Sequence, residues 1–157
     1  MKKIFPSIII LFLMVCTLMA GCTNNINYEL VSYPLGAPLL AEDYKTQLFK
    51  YNTFEEFESG IVKYNTLDND VDYINSVNET LFANAFLLHV IIYHTSSDTA
   101  KIKKIYKTEN SVNVEILMKY PNNGQAEDIM FTHYFIKIDR TELNYNDLFI
   151  LKGNYKI

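Results

Sequence analysis

The stretch FLLHVIIYHT, Phe86 to Thr95, decides how this chain folds. It is a nearly continuous run of branched and aromatic residues, interrupted by His89 and closed by His94 and Thr95. Such a run reads as a strand covered on both faces. Downstream, the polar SSDT turn leads into AKIKKIYKT, and SVNVEILMKY follows. In the latter, Val112, Val114, Ile116, Met118 and Tyr120 alternate with Asn113, Glu115, Leu117 and Lys119, the period of a half-buried strand. PNNG, Pro121 to Gly124, is a turn by composition. IMFTHYFIKIDR and LFILKG supply two more strands. Connections this short favour an antiparallel meander, because parallel crossovers need a dozen or more residues.

Upstream of the apolar run, DYKTQLFKYN alternates as a first strand, and YELVSYPLGAPLL is extended and irregular, with room for a short edge strand before Pro34. NTFEEFESGIVKYN carries the helix signal. Thr53 and Glu56 have capping-box spacing, and Phe54, Phe57, Ile61 and Tyr64 recur on one helical face, with Gly60 a slight weakness. In VDYINSVNETLFANAF, residues Tyr73, Ile74, Val77 and Leu81 allow a helical turn or two. These readings predict an α+β fold: an antiparallel sheet of four to six strands with one main capped helix packed on it, in a single domain over residues 30–157.

The N-terminus has the order of a secretory signal, with Lys2 and Lys3, an apolar core from Ile4 to Leu18, and small residues before a cysteine. That core is shorter than the roughly 20 residues of a membrane-spanning helix. Met19, Ala20, Gly21 and Cys22 resemble the lipobox of a bacterial lipoprotein signal peptide, with Leu18 one place upstream of where leucine is usual. The resemblance implies cleavage after residue 21, lipidation (palmitate-type acylation) of Cys22, and an extracytoplasmic domain held to the bacterial cell membrane. Residues 22–29 are then the lipidated cysteine and a short tether.

Removing 21 of the 157 residues leaves 136, with 12 basic against 18 acidic residues and a formal charge of −6. Nothing in that balance favours nucleic acid or polybasic attachment to anionic lipid. Cys16 leaves with the signal, so the domain keeps Cys22 alone and has neither a disulfide nor a thiolate metal site. The chain's 12 tyrosines and its 10 phenylalanines, of which only Phe5 and Phe12 leave with the signal, provide bulk for a core instead.

Asp68, Asp70, Asp72 and Glu79 fall at positions of a calcium-binding loop, but Tyr73 stands where that loop needs glycine, and a solvated acidic connection is the simpler reading. His89 and His94 are five apart and point to opposite faces of one strand; one of them could meet His133 across strands. Ser96, Ser97 and Asp98 sit beside His94 without the glycine-flanked elbow that exposes a nucleophile. Lys101, Lys103, Lys104 and Lys107 read as edge lysines shown to water. Tyr28, Tyr33, Tyr145 and Tyr155 lie in polar or irregular surroundings and are the interface candidates.

From about Phe49 to Arg140, the order of elements resembles small lipoprotein and extracellular domains related to the C-terminal domain of PrcB-type protease-complex proteins. The resemblance rests on TFEEFES, LFANAFLLHVIIYHTSSDTAKIKKI and HYFIKIDR, and the chain departs from the pattern at HTSSDTA, which lacks a glycine beside serine. It implies a compact domain that stabilises or binds another protein, with no catalytic residues carried over. The sequence thus points to a lipid-anchored binding or accessory protein for a protein or peptide, without catalysis, cofactor or metal. A variant of this reading is a self-protection lipoprotein sequestering a membrane-active peptide, and the competing class is a small hydrolase using a His/Asp/Ser site.

Overall fold

A computed structural model of the protein describes residues 24–31, 35–38, 45–66, 77–121 and 128–154. The described strands are β1 (Asn24–Asn25), β2 (Glu29–Val31), β3 (Leu35–Pro38), β4 (Gln47–Tyr51), β5 (Tyr64–Thr66), β6 (Ala85–Thr95), β7 (Thr99–Lys107), β8 (Val112–Lys119), β9 (Ile129–Asp139) and β10 (Phe149–Gly153). Two helices accompany them, α1 (Phe54–Ile61) and α2 (Glu79–Asn84). The expected single α+β sheet with one main helix is therefore corrected to a mainly β fold built on two four-stranded sheets. One sheet has the order β1-β7-β8-β10 and the other β2-β9-β6-β4, while β3 and β5 form a small ribbon.

The meander fails because a short loop limits distance without choosing a hydrogen-bonding partner. β6 and β7 are separated by Ser96 to Asp98 alone, yet β6 pairs with β4 and β9, and β7 pairs with β8. Three extended residues can reach about 10 Å, the spacing between stacked sheets. The chain again changes sheet from β8 to β9 and from β9 to β10, which leaves β10 parallel to β8, from Phe149 opposite Val112 to Gly153 opposite Ile116.

β6 is the wall shared by two cores, and Ala85 through Ile92 are buried. Phe86, Leu88, Val90 and Ile92 belong to the core between the sheets, with Ile102, Ile105, Val112, Val114, Ile116 and Met118 opposite. The next residues along, Leu87 and Ile91, join a second core with Phe57, Ile61, Phe82 and Phe135, on the side occupied by the helices. Sheet, sheet and helical layer therefore stack in three, and the continuous hydrophobicity of β6 is the result.

α1 begins as its capping signal requires. Thr53 Oγ1 accepts from the Glu56 amide at 3.1 Å, and Glu56 Oε2 accepts from the amide of Asn52 at 2.6 Å, one residue earlier than in the standard box. The helix ends at Ile61, so Tyr64 reaches the second core from β5 rather than from a further helical turn. α2 starts later than its apolar spacing suggested, with Asn78 Oδ1 capping the Leu81 amide at 3.3 Å and Phe82 buried. Tyr73 and Ile74 lie outside the described residues. No helix among the described residues is long and apolar enough to cross a membrane.

Gly60 has a role that helix propensity hides. A Cβ at this position would overlap the Tyr51 ring, reaching 2.7 Å from its hydroxyl oxygen and 2.8 Å from Cζ. Tyr51 is itself buried against Phe57, so its ring has little room to retreat. Gly60→Ala gains about 1 kcal/mol of propensity but overpacks at a cost of about 1–3 kcal/mol. A lower urea midpoint is expected, and a raised midpoint would mean that Tyr51 does not hold this place.

The N-terminal residues assigned to a tether belong to the fold from Asn24 onward. Asn24 and Asn25 pair with Lys107 and Tyr106, the Ile26 amide donates to the Ile105 carbonyl at 2.9 Å, and Ile26 is buried in the main core. β2 then crosses to the other sheet and pairs with β9. Only Cys22 and Thr23 of the expected tether lie outside the described residues.

Candidate functional site

The most concentrated polar chemistry inside the fold is a histidine pair under the helical layer. In the β6–β9 register, His89 faces Phe135 and Ile91 faces His133, so the two histidines are diagonal neighbours on one face. His89 Nε2 and His133 Nδ1 are hydrogen-bonded at 2.8 Å, the donor set by the tautomer, while the Tyr51 hydroxyl lies 3.3 Å from His89 Nδ1. Rings enclose the pair: Phe135 stacks on His89 at 4.3 Å, and Tyr64 meets His89 and His133 edge-on at 5.5 and 5.2 Å. His89 is wholly buried, and burial, with the nearby His133 and Lys63, holds its pKa well below the ordinary value. Burial also raises the Tyr51 hydroxyl. A ring-packed pair of this kind keeps a core polar and specific; both His89 nitrogens point at protein atoms.

His94 lies on the opposite face, as strand parity requires. Its Nδ1 is 2.7 Å from the Thr95 carbonyl oxygen, and its Nε2 is 2.7 Å from Thr132 Oγ1. It borders a cavity of about 220 Å³ at the β6–β7 end of the sandwich, with Tyr93, Asp98, Met118 and Tyr120. Asp98 is buried and holds the turn, its Oδ2 accepting from the Thr95 amide at 3.0 Å and the Thr95 hydroxyl at 2.9 Å. Ser96 Oγ donates to Asp128 at 2.6 Å rather than to a histidine. The hydrolase ingredients adjacent in sequence thus serve as turn-forming and strand-bridging groups.

The lysines of β7 flank a bulge. The register slips between Ile102 and Lys104, and Lys103 and Lys104 converge on Glu115 at 2.6 and 3.5 Å. Beyond the short pairing with β1, the outer side of β7 is a sheet edge among the described residues, and a bulge with lysines discourages a foreign strand from adding there.

Tyr28 and Tyr145 are half-buried and packed against the main core, Tyr145 edge-on to Phe86 at 5.8 Å. Tyr33 and Tyr155 lie outside the described residues, as do Cys22 and the calcium candidates Asp68, Asp70 and Asp72. Glu79 opens α2 and is exposed. Among the described residues, no group of three or more His, Cys, Asp or Glu side chains is placed to hold a metal ion.

A cleft that no sequence signal marked runs between edge strand β2 and α2. Its volume is about 560 Å³; Val31, Leu81 and Ala85 give it apolar surface, and Glu29, Lys137 and Asp139 line it with charge. Lys137 and Glu29 are paired there at 2.9 Å. The cleft needs two segments about fifty residues apart in sequence plus β9, so no local motif could announce it. In comparisons with known proteins, the chain matches no family, no curated protein and no solved structure.

Proposed function

We propose that the chain is a lipid-anchored extracytoplasmic binding or accessory protein that recognises another protein or peptide without catalysing a reaction. The lipobox motivates the anchor, and the cleft beside β2 carries the binding reading, because it combines apolar and charged lining with a strand that is the sheet edge among the described residues. The histidines support a binding role over a catalytic one, since the ring nitrogens of His89 and His94 are engaged within the fold. The acidic charge of the processed chain suits a cationic partner.

Two measurements test the two halves of this reading. Radioactive fatty acid should label the protein in cells and Cys22→Ser should abolish the label; an unlabelled wild type defeats the anchor. For the cleft, Thr80→Arg places a long cation in the opening from an exposed position on α2. Partners captured by the wild type and identified by mass spectrometry should be lost with this variant, and unchanged capture would move recognition elsewhere.

A further inference from the structure

We infer that one particular end of the sandwich rests on the bilayer, and that Leu148 enters the lipid there. The inference rests on lipidation of Cys22 and adds an orientation to it. β1 is antiparallel to β7, β7 is antiparallel to β8, and β8 is parallel to β10. β1, β8 and β10 therefore all run in one direction. Register places Asn24, Lys107, Val112 and Phe149 in a single row across this sheet. The residues that precede Asn24, Val112 and Phe149 must then emerge from the same end.

Covalent geometry fixes how far the anchor can stray. Cys22 is two residues before Asn24, so its Cα lies within about 7 Å of a residue already paired into the sheet. A lipid on Cys22 cannot hold the domain at a distance, and the end bearing β1 has to face the membrane. Leu148 stands at that end, 60% exposed, with its carbonyl accepting from the Val112 amide at 2.7 Å. With strands about 4.8 Å apart, it is three strand spacings, roughly 14 Å, from the anchored edge. Its neighbours suit a lipid surface of ordinary composition: Lys107 and Asp147 neutralise each other at 2.9 Å, and the β7–β8 turn adds Glu109 among Thr108, Asn110 and Ser111. Attraction to anionic headgroups is not what seats this end; the tether does so, and Leu148 marks the contact. The β6–β7 turn is at the other end of β7, roughly 26 Å away at strand rise.

The chain has no tryptophan, so a single introduced one reports its own depth. Leu148→Trp and Ser96→Trp would each be made in the full chain, purified from membranes, and reconstituted in phosphatidylcholine–phosphatidylglycerol vesicles with or without bromine on the acyl chains. Mass spectrometry of the purified protein would read its acylation. For acylated protein, the Leu148→Trp emission should shift to the blue and be quenched by brominated lipid, while the Ser96→Trp emission stays unquenched. Acylated protein with equal quenching at both positions, none at either, or more at Ser96 overturns the orientation and leaves the anchor standing. Protein recovered without lipid overturns the anchor, and the orientation with it.

Discussion

Phe57→Ala should lower the stability of the domain by about 3–5 kcal/mol, the usual cost of emptying a buried phenylalanine site. Phe57 is 1% exposed, and its ring meets Tyr51 and Phe135 edge-on at 5.6 and 5.9 Å, with Phe54 and Phe82 beyond at 6.2 and 6.4 Å. These partners come from β4, β9 and both helices, so several elements would have to move together to fill the space. A domain of this size has a total stability of about 5–15 kcal/mol. The loss should appear as a large fall in urea midpoint without a comparable change in slope. A change below about 1 kcal/mol would place α1 on the surface of β6 rather than in its second core.

Acidification should destabilise the domain through His89. Burial, His133 and Lys63 keep this ring neutral in the folded state, whereas the unfolded chain takes up a proton near the ordinary value of 6.5. Above that value both states are neutral and His89 contributes nothing. Below it the unfolded state binds one more proton, so stability falls as pH falls. At 1.36 kcal/mol per pH unit, the loss reaches up to about 2 kcal/mol by pH 5. His89→Phe keeps a ring beside Phe135 and cannot titrate. Its stability should therefore change less than that of the wild type between pH 7.5 and 5, even if it begins lower through loss of the Tyr51 and His133 partners. Parallel pH profiles for the two proteins would show that the buried ring is not the source of acid sensitivity.

Much of this architecture was legible residue by residue, and the rest was hidden for identifiable reasons. The unbroken apolar run correctly marked β6 as covered on both sides, and the alternation in β8 correctly gave its buried face as Val112, Val114, Ile116 and Met118. Strand parity separated His94 from His89, and His89 is the one that meets His133. Loop length, however, carried no information about which sheet a strand joins, so two sheets were read as one. The apolar stripe of Phe57 and Ile61 identified the helix but not the purpose of Gly60, which depends on Tyr51, a residue from another element. Tyr145 looked peripheral because its neighbours in sequence are polar; its packing partner, Phe86, is far away along the chain. The cleft beside β2 was invisible for the same reason.

The repeated change of sheet also sets the tempo of folding. Among the described strands, β7 and β8 alone form a local hairpin; β1 must find β7, β2 must find β9, and β6 must find β9 across a segment containing two strands of the other sheet. Such distant pairings make folding slow, on the order of milliseconds to seconds for β-sandwiches. The N-terminal strands are the first part of the domain to be made, yet neither can dock before its partner strand exists. Until β9 has emerged, the twice-covered strand β6 has β4 along one side and no partner along the other. For a chain that emerges from its N-terminus, the hazardous interval is the one between the arrival of Phe86 and the arrival of Phe135.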